Sequence, residues 1–256
     1  MLPEAPSRRA LLALGAGLLL PRRAFALGEA SEVDIAELVL PTGTSSTPDA
    51  WSGLLFELIQ TTSVEAVPRA VQLAPDDPSL FQHPIAVLSG TGALPALSER
   101  AIEQLSRYLT YGGFLIANDS SGLMDSPFDR SLRELVRRIL PNRSLQVLRS
   151  DHSVYRSFFL LNKPAGRVAN YRTLEGVEVG TMHPLVYSRD DLAGALDRYP
   201  DGTFRNPCTP DGELQRREAV KTSINLIMYA LTSNYKQDQA HAKELLRRQQ
   251  LLRGAP

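Results

Sequence analysis

Two rhythms of apolar residues alternate along most of the chain. Ile85-Ala86-Val87-Leu88, bounded by Pro84 and Gly90, and Phe114-Leu115-Ile116-Ala117, which follows Gly112-Gly113, are unbroken apolar runs. Runs of that kind fit strands covered on both faces. Between and around them the period changes to that of a helix. Trp51, Leu54, Leu55, Leu58 and Ile59 fall at i, i+3, i+4, i+7 and i+8 after Thr47-Pro48, which predicts a helix with a hydroxyl at its cap and proline in its first turn. Ser98 precedes a second stripe of Ile102, Leu105 and Leu109, stopped by Gly112-Gly113. Ser126-Pro127 opens a third, with Phe128, Leu132, Leu135, Val136 and Ile139 on one face and Pro141 at its end. Shorter extended pieces are expected at 37–40, 71–74, 145–148, 177–179 and 185–187. Val220, Ile224, Ile227, Met228 and Leu231 mark a last core helix. Strand alternating with helix, with continuous apolar strands, predicts one α/β domain: a mainly parallel sheet with helices on both faces.

The first residues follow a different logic. Ser7-Arg8-Arg9 precedes the uncharged run Ala10 to Leu20, and Ala24-Phe25-Ala26 closes the segment. Charged, apolar and small-residue parts in that order form a secretory signal. The apolar run has 11 residues, short of the roughly 20 that a membrane span needs. The adjacent arginines have the form of a twin-arginine signal, and Arg22 and Arg23 disfavour the general secretory route. The expected organisation is a signal peptide at 1–26 cleaved after Ala26, an α/β domain at 27–236 and a polar helical tail at 237–256. No cysteine stands near the cleavage site, so a lipoprotein is excluded. Nothing in the mature chain reads as a membrane span, and the expected location is the periplasm or beyond.

Charge and cysteine narrow the function classes. Of 256 residues, 28 are Lys or Arg and 28 are Asp or Glu. Removing 1–26 takes away four arginines and one glutamate, leaving 24 against 27, a net −3. No basic excess exists to hold a nucleic-acid backbone. The single cysteine excludes an intrachain disulfide and a thiol pair for zinc or redox work.

In such sheets ligands lie beyond the carboxyl ends of the strands, which makes three segments the candidates. Gly90-Thr91-Gly92 allows close backbone approach to an anion, without the third glycine of a dinucleotide fingerprint or a Walker lysine. Asn118-Asp119-Ser120-Ser121-Gly122 places a carboxylate and hydroxyls where they either bind a ligand or cap the loop's own backbone; it lacks the G-x-S-x-G of a nucleophile elbow. Ser188-Arg189-Asp190-Asp191 is either a ligand edge or a helix cap. Asp151-His152 adds the proton-transfer side chain expected to approach Asp119. Arg130, Arg133, Arg137 and Arg138 lie along one helix, either as a solvated face or with Arg130 or Arg133 meeting an anionic partner near the Asp119 loop. The histidines at 83, 152, 183 and 241 have no metal-ligand spacing, so neither metal nor cofactor is expected. Cys208, between Pro207 and Pro210, reads as a buried or loop thiol.

Gly112-Gly113-Phe114-Leu115 with Asn118-Asp119, Phe128-Asp129-Arg130, Asp151-His152-Ser153-Val154-Tyr155, Leu174-Glu175-Gly176 and Asn225 to Thr232, followed by Asp238-Gln239 and His241, resemble the bacterial domain of unknown function 4159 family. The resemblance implies a class I glutamine-amidotransferase-like, flavodoxin-like three-layer fold. It also implies an envelope setting near MoxR-type ATPases and von Willebrand factor A-type proteins. Many members carry Asp-Asp-Cys where this chain has Asn118-Asp119-Ser120, which removes one carboxylate and the thiol. The expectation is therefore a non-catalytic ligand- or partner-binding module. The alternative is a hydrolase or transferase using Asp119, His152 and Ser120.

Overall fold

Asn118 and Asp119 end a strand that lies in the middle of a seven-stranded sheet. This arrangement comes from a computed structural model that describes residues 32–40, 47 and 49–253, with side chains as far as Ser233. The export signal read from 1–26 and the loop at 42–46 lie outside the described residues.

The strands are β1 (Ile35–Leu38), β2 (Val71–Leu73), β3 (Ile85–Gly90), β4 (Phe114–Asp119), β5 (Gln146–Val147), β6 (Leu174–Val179) and β7 (Met182–Ser188). Their order across the sheet is β2-β1-β3-β4-β7-β6-β5. The first five in that order pair in parallel, whereas β6 runs antiparallel to both β7 and β5. The antiparallel part begins at a tight reversal in which Gly180, at φ 64°, joins β6 to β7. A side chain is strained in that left-handed conformation, so glycine suits the turn.

The helices are α1 (Ala50–Thr61), α2 (Glu99–Thr110), α3 (Pro127–Ile139), α4 (Leu192–Leu196) and α5 (Gly212–Arg253). Alternate residues of each central strand enter separate cores, as the period of a strand requires. Ile35, Val87, Ile116 and Val186 meet Trp51, Leu54 and Leu58 of α1, Leu192 of α4, and Ile224 and Ile227 of α5. On the other face Leu88, Leu115, Leu185 and Tyr187 meet Leu105 of α2 and Phe128, Leu132 and Ile139 of α3. The result is the expected three-layer α/β domain. Ser98 and Ser126 cap α2 and α3 as their positions in the sequence imply, accepting from the amides of Ala101 and Asp129. The start of α1 differs. It begins at Ala50, and Asp49 occupies the cap position without a side-chain hydrogen bond.

The core helix and the polar segment after it are one continuous helix, α5, of 42 residues. Among the described residues no helix is long and apolar enough to cross a membrane.

Candidate functional site

The carboxyl edge of β4 and β7 gathers most of the polar residues singled out in the sequence. Asn118 and Ser188 pair in register there, and both are buried. The Asn118 Oδ1 accepts from the Leu192 amide at 2.7 Å, and its Nδ2 donates to Ser120 Oγ at 2.8 Å. An amide at the end of one strand thus receives an orphan N–H from the start of α4. Asp119 is equally committed. One carboxylate oxygen accepts from the Ser121 amide at 2.9 Å, and the other from the Ser126 hydroxyl. That same Ser126 oxygen caps α3 at 2.9 Å.

Asp190 and Asp191 organise the neighbouring loops. The buried Asp190 carboxylate accepts from the amides of Asn170, Tyr171 and Arg172 at 3.1, 2.9 and 2.6 Å. Burial pushes its proton affinity up, and the three N–H dipoles pull it back. Asp191, at φ 57°, caps α4 through the Gly194 amide at 2.7 Å and also accepts from Arg167 Nε. A Cβ on Gly194 would stand 2.2 Å from the Asp191 carboxylate, and one on Gly122 would stand 2.6 Å from Arg167 Nη2. Arg167 therefore lies between the loop after β4 and the loop after β7. Neither periodicity nor turn chemistry marked it in the sequence; Gly122 is the trace of its close approach.

The other candidates divide. Gly90 ends β3 beside Asp119, and its missing Cβ makes room for the Phe128 ring. Thr91 and Gly92 are exposed, and a Cβ on Gly92 would meet nothing within 4 Å. Arg133 pairs with Asp129 at 2.9 Å and with the buried Glu175 at 2.8 Å. Arg189 joins the same carboxylates and stacks on Tyr171 at 3.7 Å. Arg130 is exposed and forms no ion pair among the described residues. Cys208 is buried against Ala195 and Ala219, and burial pushes its thiol up, away from the reactive thiolate.

Asp151 and His152 do not approach Asp119, which corrects the expected pairing. The His152 Nε2 lies 3.1 Å from Nδ1 of His183, the second residue of β7. Because β7 is parallel to β4, with Leu185 level with Leu115, His183 stands at the amino edge and Asp119 at the carboxyl edge. At about 3.3 Å per residue, the two are separated by most of the strand's length. The physical reason is long-range: Tyr155 and Val154, just after His152, are anchored to β6 and α5. Asp151 is exposed and paired with Arg149, which holds its carboxyl below the usual range.

The histidine pair has a defined hydrogen-bonding sense. Nδ1 of His152 accepts from the Val154 amide at 3.2 Å, so the neutral ring carries its proton on Nε2. That proton is donated to Nδ1 of His183, which places the second ring's proton on its own Nε2. Burial lowers the proton affinity of both rings. A metal-ligating imidazole usually donates from its other nitrogen; here that nitrogen is itself an acceptor. Among the described residues no three His, Cys, Asp or Glu side chains are grouped to hold an ion.

An open cleft at the carboxyl edge lies beside β1 and β2. It has a volume of about 590 Å³ and is lined mainly by Val39, Leu40, Leu73, Pro75, Leu97 and Ser98. It adjoins the place where the strand order reverses between β1 and β3, the usual ligand position in a doubly wound sheet. Its apolar lining comes from three separate segments, and nothing in the sequence marks them as neighbours.

The geometry also sets an expected result at Asp119. Asp119→Asn replaces an acceptor by a donor opposite the Ser126 hydroxyl, so denaturant unfolding should register a loss of about 1–3 kcal/mol. An unchanged midpoint would remove the loop-anchoring role assigned to this carboxylate.

No curated protein matches the chain. Residues 35–231 match the family described as Domain of unknown function (DUF4159). The matched span contains all seven strands, the capping residues of the carboxyl edge and the histidine pair, and the chain belongs to that family.

Proposed function

We propose that this chain is a non-catalytic binding module of the bacterial cell envelope, exported by the twin-arginine route, which holds a ligand or protein partner on the carboxyl edge of its sheet. One observation carries the reading: the reactive side chains at that edge are already engaged in fixing the chain's own loops. Asp119 holds Ser121 and Ser126, Asp190 holds three consecutive amides, and Asp191 caps α4. A general acid or base has to reach a substrate proton, and these carboxylates are buried. Ser120 Oγ accepts from the Asn118 side-chain amide, and among the described residues no histidine or carboxylate hydrogen-bonds to it. A cleft at the same edge, beside β1 and β2, is largely apolar, a lining suited to binding.

The parallel order β2-β1-β3-β4 supports placing the domain with class I glutamine-amidotransferase-like folds, without their cysteine nucleophile. Fold alone assigns no reaction. The distance between His152 and Asp119 counts against a hydrolase or transferase built on that pair with Ser120. Proteins of MoxR-type ATPase and von Willebrand factor A-type systems are the partners that fit the family's setting. Arg8-Arg9 with Ala24-Phe25-Ala26 supports export.

Two experiments test this. Ser120→Ala and Cys208→Ser should complement a deletion strain as well as the wild type does. A variant of either kind that melts normally and fails to complement overturns the non-catalytic reading. Replacing Arg8 and Arg9 by lysine should leave the precursor in the cytoplasm, because the receptor reads guanidinium pairs; export at the wild-type rate would exclude the twin-arginine route.

A further inference from the structure

The segment Arg149–Leu161 is an irregular stretch laid against the sheet and α5. It is held by few but specific bonds. Asn225 of α5 donates to the carbonyls of Val154 and Phe159 at 3.0 and 2.8 Å, and accepts from the amides of Phe158 and Phe159 at 3.2 and 2.7 Å. Tyr155 accepts from the Leu174 amide at 3.2 Å and donates to the Leu148 carbonyl at 3.3 Å. The third attachment is His152, which caps the short 3-10 turn Ser153–Arg156 through Nδ1 and reaches His183 through Nε2. His183 in turn donates its own amide to the Tyr229 hydroxyl of α5 at 3.2 Å. The two rings meet edge to face at 4.7 Å, and Tyr229 lies 5.4 Å from His152.

Neither ring can accept a proton without losing a bond. On His152 the incoming proton must go to Nδ1, where the Val154 N–H already points. On His183 it must go to Nδ1, which receives the Nε2–H of His152. In either event two N–H groups are brought face to face. The geometry points to an acid-sensitive latch: the neutral His152–His183 pair fastens the segment 149–161 to β7 and α5, and protonation of the pair releases it. This goes beyond the binding role proposed above and involves the opposite edge of the sheet.

The charges around the pair are few. Asp151, in the segment itself, favours protonation of His152 but is tied to Arg149, and Glu178 of β6 favours protonation of His183. From α5 the facing group is the Tyr229 hydroxyl. Burial, and for His152 the neighbouring ring, act the other way. With both folded values below the ordinary histidine value of about 6.5, the pair's contribution is complete above that pH. It is lost as the pH falls through the lowered folded values. The released segment carries Phe158 and Leu160, both exposed already, so acid would loosen an apolar surface element without opening the central sheet.

The test is amide hydrogen exchange on the chain at pH 7.5 and 4.5, corrected for intrinsic rates. In the wild type, amides of 153–161 should lose protection several-fold at the lower pH while those of β3 and β4 keep theirs. His152→Asn retains an acceptor for the Val154 amide, since asparagine is a good cap, but cannot titrate; its segment should show no acid response. Ring 15N spectra of the wild type should find the Nε2–H tautomer on both histidines, titrating together with the loss of protection. Equal protection of the wild-type segment at both pH values overturns the latch. So does an acid response that persists in His152→Asn, or ring titration uncoupled from exchange.

Discussion

Leu115→Asp should yield no folded protein. Leu115 is fully buried in β4, the middle strand of the sheet, level with Ala86 of β3 and Leu185 of β7. It faces the core made with Leu105, Leu132 and Ile139. Removing the leucine there costs about 2–5 kcal/mol. The carboxylate that replaces it has no donor in reach, and a buried unpaired charge costs several kcal/mol more. Since a domain's whole stability is about 5–15 kcal/mol, the sum removes the cooperative native state. Circular dichroism and solubility report it, and a soluble, cooperatively melting variant would show that this strand is not central.

Asn225→Ala should be the most damaging polar substitution. Its side chain makes four hydrogen bonds to the backbone of 154–159, from a position fully buried on α5. Truncation leaves two amides and two carbonyls without that partner. At about 1 kcal/mol for each bond, a loss of about 3–4 kcal/mol in denaturant unfolding is expected. Asn225→Asp separates the two halves of the role, because a carboxylate still accepts from Phe158 and Phe159 but turns an acceptor toward the carbonyls of Val154 and Phe159. A loss below about 1 kcal/mol for the alanine variant would mean that the segment is held by its other attachments.

The central strands and the stripes of α1, α2 and α3 were legible because their cause is local. A run such as Phe114 to Ala117 leaves no polar face to expose, and Phe128 to Ile139 repeats at the helical period. The antiparallel turn of the sheet was not legible: the extended pieces expected at 177–179 and 185–187 do not by themselves state their direction, and the reversal at Gly180 went unread. The chemistry of the edge was only half legible. Turn-forming residues at 119–122 were evident, but the partners that decide their role are distant in sequence. Asn118 serves Leu192, and Arg167 serves Asp191. His152 illustrates the same limit more severely. Its place is set by the contacts of Tyr155 with Leu174 and of Val154 with Asn225, partners that leave no mark near residue 152. That is why a histidine expected beside Asp119 stands at the other end of the sheet.

The two outermost strands are the shortest: β2 has three residues and β5 has two. A row of unpaired backbone groups that brief offers almost no template for another chain to extend. The sheet is thus self-limiting, and molecules at high concentration gain little by joining strand to strand. Edges that short leave side chains and loops as the larger share of the surface on which a partner could be recognised.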